Sequence, residues 1–325
     1  MKEKINCLIT GGAGFIGSNL CNLLLSQNNH VVCLDNLSSG RKENISKFME
    51  NPDFEFVYQD ISVPYEGSPD LIFNLACPAS PKFYQKAPVE TMKTNVLGAI
   101  NVLNIAEKNN CPIFQASTSE VYGDPTEFPQ KENYWGNVNP DGIRSCYDEG
   151  KRAAETIFMD YYRSHQTKIK IARIFNVYGP GMRSDDGRLI SNLINQAIRN
   201  EPMTIYGDGM QTRSLCYIDD LLDGIIRLIN TSDDVTGPVN LGNPDEKTVL
   251  EIAAIIKEIT GCKSEIKYCP LPKDDPKRRC PDITMAKKLL NWAPKVDLRT
   301  GIKKTLEYYS SLIRSRQTFI HCIYK

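Results

Sequence analysis

The chain has 325 residues, and its 39 Lys+Arg balance 39 Asp+Glu to a formal net charge of zero; nucleic-acid binding, which calls for a basic excess or face, is therefore not expected. Hydrophobic residues make up 41%, with 21 Gly and 19 Pro, an ordinary globular mixture long enough for one large domain or two modest ones. No window approaches the ~18 apolar residues of a membrane helix, and the N-terminal MKEKINCLITGG lacks a signal-peptide core, so no membrane partner and a cytoplasmic location are expected.

Residues 4–10 (KINCLIT) read as a short buried strand, followed by GGAGFIG and a helix through SNLCNLLLSQ. Further strands are expected at 30–36, 54–60, 71–77, 112–118 and 169–176. These runs are continuous and apolar, as a sheet covered on both faces requires. Helices near 91–109 and 146–165 separate several of them. Strand–helix alternation of this kind implies an α/β fold, a Rossmann-type doubly wound parallel sheet. After residue 176 the pattern loosens. Helices are expected near 187–200, 219–230 and 248–260, PVNLGN reads as one more strand, and YCPLPKDDPKRRCPDI is a Pro-rich charged loop. The final SRQTFIHCIYK shows no clear period and suggests a mobile tail.

Gly11, Gly14 and Gly17 lie three apart between the first strand and its helix. The first permits a tight turn, the second lets backbone approach a pyrophosphate, and the third lets helix and strand pack closely. The helix start then offers free N–H groups to phosphate. Asp35 ends the second strand, where a carboxylate accepts from a ribose diol and repels a 2′-phosphate. NAD is thus favoured over NADP, although Arg41 and Lys42 lie near. Asp60 and Ile61, after the third strand, either frame an adenine or simply make a turn.

The stretch QASTSEVYGDP leaves an apolar run for Thr118-Ser119-Glu120. Two hydroxyls and a carboxylate suit a helix cap or turn, and equally a site that handles protons. Tyr147 and Lys151 are four apart and share a helix face. A tyrosine ionises near ~10, and a neighbouring ammonium and a cationic nicotinamide both favour the phenolate. Tyr147 is then a candidate base for a sugar hydroxyl, with Lys151 holding the nicotinamide ribose. The eleven cysteines are scattered, with no CxxC pair, and His30, His165 and His321 lie far from these motifs. Reduced thiols are expected, and neither a metal site nor a histidine triad.

With these elements placed, the chain resembles the extended short-chain dehydrogenase/reductase family, and in it the UDP-glucuronate decarboxylases. The likeness runs from TGGAGFIGSNL to PKVDLRTGI, through NLACPASP, STSEVYGDP, IRSCYDEGKRAAET, ARIFNVYGP, YGDGMQTRS and DDPKRRCPDI. The glycine loop and Tyr-Lys pair mark the superfamily only; ACPASP, TSE and CYDEGKR are narrower. Three departures stand out: Gly181 where the family usually has arginine, Asn74 where histidine is common, and a tail after about 315 that matches nothing.

The resemblance implies a bound NAD, UDP-glucuronate as substrate and a homodimer built through a four-helix interface. The expected cofactor shell is Gly11, Gly14, Phe15, Ile16, Gly17, Asp35, Asn36, Ser39, Gly40, Asp60, Ile61, Leu75, Lys93, Tyr147 and Lys151. Asn176, Arg188, Ser191, Tyr206, Gln211, Arg213 and Arg279 are expected around the nucleotide sugar. Ser119, Glu120 and Arg279 join Thr118, Tyr147 and Lys151 as the implied catalytic set. Arg279 alone reads as a solvated charge in a basic loop. Related 4,6-dehydratases carry Asp where Ser119 stands, an acid for a leaving hydroxyl; with Ser there, this chain lacks that acid. The implied domains are 1–176 plus about 213–245 for NAD, 177–212 and 246–315 for the nucleotide sugar, and a tail at 316–325. The implied reaction oxidises C4, releases the C5 carboxylate as CO2 and re-reduces C4. The alternatives are a decarboxylase that releases the 4-keto-pentose with NADH, a UDP-sugar 4-epimerase, and a non-enzymatic NAD-binding regulatory module.

Overall fold

In chain order the strands are β1 (Asn6–Thr10), β2 (His30–Asp35), β3 (Phe54–Tyr58), β4 (Leu71–Asn74), β5 (Ile113–Thr118), β6 (Ile169–Ile174), β7 (Val177–Tyr178), β8 (Met203–Tyr206), β9 (Thr212–Ser214), β10 (Cys216–Tyr217), β11 (Val239–Leu241), β12 (Glu246–Thr248) and β13 (Ile266–Cys269). The helices are α1 (Phe15–Ser26), α2 (Lys42–Ile45), α3 (Pro81–Tyr84), α4 (Pro88–Asn109), α5 (Ser145–His165), α6 (Leu189–Ile198), α7 (Ile218–Ile229), α8 (Val249–Thr260), α9 (Thr284–Leu290) and α10 (Leu298–Ile323). This computed structural model describes residues 3–271 and 278–323, with side chains through 313.

Seven strands form one parallel sheet in the order β3-β2-β1-β4-β5-β6-β11. The chain winds outward from β1 to β3, returns to pair β4 on the other side of β1, and winds outward again. The crevice at that reversal, beyond the strand C-termini, is where such sheets bind ligands. Neighbouring strand residues serve opposite faces. Leu8, Val32, Leu34, Ile72 and Ile113 pack with Ala99, Val102 and Leu103 of α4 and Ala154 and Phe158 of α5. Cys7, Ile9, Val31, Cys33 and Phe73 pack in the other layer with Leu20 of α1 and Leu221 and Ile225 of α7. This two-sided burial explains the continuous apolar runs.

Asn74 sits in a buried polar ladder across the sheet. It accepts from Thr10 Oγ1 at 2.6 Å and donates to Gln115 Oε1 at 2.7 Å. Gly181, at φ +91°, leaves its missing Cβ only 3.0 Å from Asn19 Nδ2 of α1, so the loop here rests tightly on that helix. An arginine at this position would be strained.

The second half is built from short pairs: β8 with β13, β9 with β12, and β7 with β10. Strands of two to four residues are too brief to show a period, which is why the sequence reading missed them. α8 starts at a capping box formed by Thr248 and Glu251. Ile190, Met203, Ile205 and Ile252 belong to the same core layer as α1 and α7, so apolar packing is continuous between the two halves. The backbone of α10 is helical to Ile323, through a stretch in which no period is legible. Across the rim of the crevice, Ser80 Oγ donates to the Asp186 carbonyl and Lys82 Nζ to that of Asp185 at 2.7 Å, joining segments about a hundred positions apart.

Candidate active site

The glycine loop takes the form its spacing implies. Gly11 has φ +70°, and a Cβ there would lie 2.9 Å from the backbone of Ala76 after β4. A Cβ on Gly17 would lie 2.2 Å from the Gly11 carbonyl, so α1 and the loop approach as closely as backbone allows. Gly14 N-caps α1 with no side-chain cap and no acidic residue in the first turn. Its first N–H groups are therefore left for an anion. Asp35, buried at the end of β2, accepts from the Ala13 amide at 3.0 Å and the Leu37 amide at 2.7 Å. Burial nevertheless raises its pKa. Asn36 donates to Asp60 at 2.7 Å, which joins the ends of β2 and β3. These residues fit a dinucleotide whose phosphates meet α1 and whose ribose meets Asp35.

A cleft of about 520 Å³ runs from this loop into the second half of the chain. Of the expected cofactor shell, all but Lys93 line it: Gly11, Gly14, Phe15, Ile16, Gly17, Asp35, Asn36, Ser39, Gly40, Asp60, Ile61, Leu75, Tyr147 and Lys151. Lys93 instead pairs with Glu90 one turn away on α4, at 3.1 Å, and is half exposed. Asn176, Arg188, Tyr206, Gln211, Arg213 and Arg279 also line the cleft, whereas Ser191 does not. Ser191 is fully buried behind the wall and donates to Asp186, whose carboxylate accepts from Arg188 Nε at 2.8 Å. Ser191 thus orients Arg188 through Asp186. The Arg188 guanidinium stands 5.9 Å from the Phe15 ring centroid, between the α1 start and the second half.

Thr118 closes β5 and caps the short 3-10 turn Ser119–Tyr122, accepting from the Glu120 amide at 3.2 Å. Both readings of this stretch meet here: the cap is real, and all three residues line the cleft. Tyr147 hydrogen-bonds the Thr118 side chain. Burial raises the Tyr147 pKa, and burial lowers that of Lys151, whose Nζ donates to the Ala116 carbonyl at 2.9 Å. The expected pull of a neighbouring ammonium and a cationic nicotinamide on the tyrosine therefore has burial to overcome. Loss of solvent opposes the charged form of both groups, so ionising Tyr147 needs a further cation.

Glu120 is gripped by two guanidiniums. Arg144 Nη2 donates to Oε2, and Arg279 donates to both oxygens, at 3.4 and 3.2 Å. Despite burial, the two cations hold the Glu120 carboxyl at about 2. Arg279 is only 2% exposed, so it is no solvated loop charge, and its Nη1 has no hydrogen-bond partner among the described residues. Asp148 lies 4.0 Å from Arg144. Its carboxyl is pushed up to about 7 by burial and then by the charge of Glu120.

Sequence reasoning missed two residues that line this end of the cleft, Arg144 and Tyr84, and one behind its wall, Asp148. Arg144 stands three residues before Tyr147 in IRSCYDEGKR, and an arginine one turn ahead of a candidate base was the available signal. Asp148 adjoins that tyrosine in sequence. Tyr84, in PKFYQ, carried no pattern; its ring stacks on Tyr147 with centroids 5.0 Å apart and 7° between planes. His30 bonds Asn6 and His165 pairs with Glu107, both away from the cleft, while the side chain of His321 lies outside the described residues. No group of three or more His, Cys, Asp or Glu suited to a metal occurs among the described residues.

A family model described as GDP-mannose 4,6 dehydratase matches residues 8–305. UDP-glucuronic acid decarboxylase 3 of Arabidopsis thaliana is 53% identical over 302 residues, which is 93% of this chain and 88% of that protein. UDP-glucuronic acid decarboxylase 1 of the same plant is 49% identical over 312 residues, 96% of this chain and 71% of that protein. Among solved structures, UDP-glucuronic acid 4-epimerase from Bacillus cereus, in complex with UDP-glucuronic acid and NAD, superposes with a TM-score of 0.86 at 28% identity, covering 95% of this chain and all of that one.

Proposed function

The chain belongs to the extended short-chain dehydrogenase/reductase family and, within it, to the UDP-glucuronic acid decarboxylases, and on that premise we infer that it is an NAD-dependent carboxy-lyase that converts UDP-glucuronate to UDP-xylose and CO2. The observation that carries the reading is a guanidinium, Arg279, buried against Glu120 in the wall of the same cleft that Thr118 and Tyr147 line. A group that reads an anion thus lies where sugar chemistry would occur.

The physical logic is that of a β-keto acid. Once C4 of the hexuronate is a ketone, the C5 carboxylate is β to it, and CO2 leaves with its electrons delocalised onto the C4 oxygen. NAD supplies the hydride acceptor for C4 and later the hydride that restores it. The protein has the remaining tasks. Tyr147 takes the C4 hydroxyl proton, with Thr118 bonded to the same oxygen. Lys151, fixed on the Ala116 carbonyl, holds the nicotinamide ribose and contributes positive charge near the phenol. Ser119 faces the carboxylate without repelling it. Glu120 accepts from a ring hydroxyl, and Arg279 reaches the carboxylate or the proton that replaces it at C5. Arg188, held by Asp186, and Arg213 suit the diphosphate, because a guanidinium fork bonds two oxygens. Asn176, Tyr206 and Gln211 complete the nucleotide wall.

NMR of UDP-glucuronate incubated with protein and NAD tests this directly. The expected outcome is UDP-xylose with no accumulating NADH. UDP-4-keto-pentose with matching NADH, the 4-epimer, or no reaction would each overturn it.

Division into an NAD-binding unit, 1–176 with about 213–245, and a nucleotide-sugar unit, 177–212 with 246–315, remains our proposal. So does a homodimer through α4 and α5, whose outer faces carry the exposed Leu97 and the half-buried Val96, Ile100, Ile157 and Tyr161. Light scattering at the mass of one chain would remove it. A reducing, cytoplasmic setting is proposed from the ten described cysteines, all of them free.

A further inference from the structure

Resting on the reading above, a second inference concerns Arg144. Two guanidiniums meet at one carboxylate. Arg144 and Arg279 both donate to Glu120 Oε2, and Arg279 also to Oε1. Each guanidinium offers about five N–H donors, so Glu120 alone cannot satisfy them. Arg279 shows the excess directly, since its Nη1 is buried with no partner among the described residues. Both arginines line the cleft next to Thr118, Ser119 and Tyr147. The other carboxylate in reach, Asp148, is 4.0 Å from Arg144 Nε, beyond hydrogen-bond distance, and is not part of the cleft wall. Its carboxyl, pushed up to about 7, carries only part of a negative charge near neutrality. Two fixed cations therefore face the cleft against one full internal anion.

We propose that Arg144 is a specificity-determining residue: with Arg279 it forms a two-guanidinium reader for the carboxylate of the hexuronate, and Glu120 bridges the pair and keeps its spacing. One arginine forms a bidentate contact to a carboxylate in a plane. A second, arriving from another element, fixes the tilt of that plane. Arg144 comes from the turn that opens α5, three residues before Tyr147, and Arg279 from the loop before α9. The reader would thus set the carboxylate relative to the base by way of one helix. A neutral hexose offers these cations nothing in exchange for their solvation and is disfavoured.

The test measures binding of UDP-glucuronate, UDP-glucose and UDP to enzyme loaded with NADH, which blocks turnover, by isothermal titration. Wild type should prefer the uronate to UDP-glucose. Arg144→Gln should lose about tenfold or more of that preference, the scale of a charge-assisted hydrogen bond, with UDP-glucose and UDP binding unchanged. Arg144→Lys keeps the charge without the fork and should fall between; it also serves if the glutamine variant does not fold. An unchanged preference in either folded variant, or equal weakening of uronate and glucose, overturns the proposal. Failure of the underlying reading looks different: wild type would then show neither uronate preference nor decarboxylation.

Discussion

The two ends of the cleft are built in different ways. At the outer end, from Gly11 to Asp35, the ligand surface is mostly backbone: a turn, a helix start without a side-chain cap, and one carboxylate pinned by two amides. At the inner end it is side chains from four separate segments: Thr118 to Glu120, Arg144 to Lys151, Tyr84 and Arg279. The outer end is fixed by local geometry and barely depends on charge. The inner end depends on charge balance, because it holds buried cations and anions whose partners lie far away in sequence. Steric substitutions should therefore damage the first, and charge-altering or proton-removing ones the second.

The largest test of that contrast is Tyr147→Phe. It removes one hydroxyl from a well-packed ring, so kcat should fall about 10²–10⁴-fold while NAD affinity and Tm stay near wild type; a comparable loss of NAD binding would break the contrast. Gly17→Ala is the converse. Its methyl would sit 2.2 Å from the Gly11 carbonyl, and overpacking of this kind costs about 1–3 kcal/mol. NAD affinity, followed by fluorescence quenching, should drop by roughly 5- to 150-fold, with kcat at saturating NAD largely kept.

Asp148→Asn sharpens the charge side. Asp148 faces Glu120, Arg144, Arg279 and Glu149, and its carboxyl is raised from 3.8 to about 7. A raised acid favours the fold while protonated, and that stability is lost as pH climbs from its unfolded to its folded pKa. The variant should match wild type near pH 4 and exceed it in Tm by a gap that opens toward pH 7 and then levels. Glu120, held at about 2, acts in the opposite sense: its contribution is complete above ordinary carboxylate values and fades only as pH falls toward 2. A gap that widened toward acid would contradict the assignment. The smallest effect is expected from Lys93→Ala. Because Lys93 pairs with Glu90 on the helix surface, its removal should change KM for NAD by less than about twofold, the scale of an exposed pair.

The same contrast explains what was legible in the sequence. β1, the glycine loop, α1 and Asp35 are contiguous, so periodicity and spacing carry them. Tyr147 and Lys151 share a helix turn and were found for that reason. Tyr84 escaped because nothing in its own neighbourhood announces it, and Arg144 and Asp148 because standing near Tyr147 in sequence does not by itself give a charge a role. They matter only once β5, α5 and α3 are brought together. Arg279 was legible only by resemblance, since a charged loop gives no hint that one guanidinium will be buried at 2% exposure. Ser191 shows the reverse case: the resemblance implies it, and the structure has it behind the wall, bonded to Asp186. The paired short strands of the second half, β8 with β13 above all, owe their existence to partners about sixty residues away.

The fastening between Ser80 and Asp186 and between Lys82 and Asp185 has a kinetic consequence. Both bonds end on carbonyls of the other flank, and Lys82 Nζ also stands 3.5 Å from the Asp185 carboxylate, so the fastening combines two uncharged acceptors with one ion pair. If ligands pass this rim, the two bonds must part for loading and emptying, and residence then follows the lifetime of the parted rim as well as contact strength. A catalyst whose electrons are loaned and returned within a single turnover gains from such slowness, since escape halfway through would strand it in the wrong oxidation state.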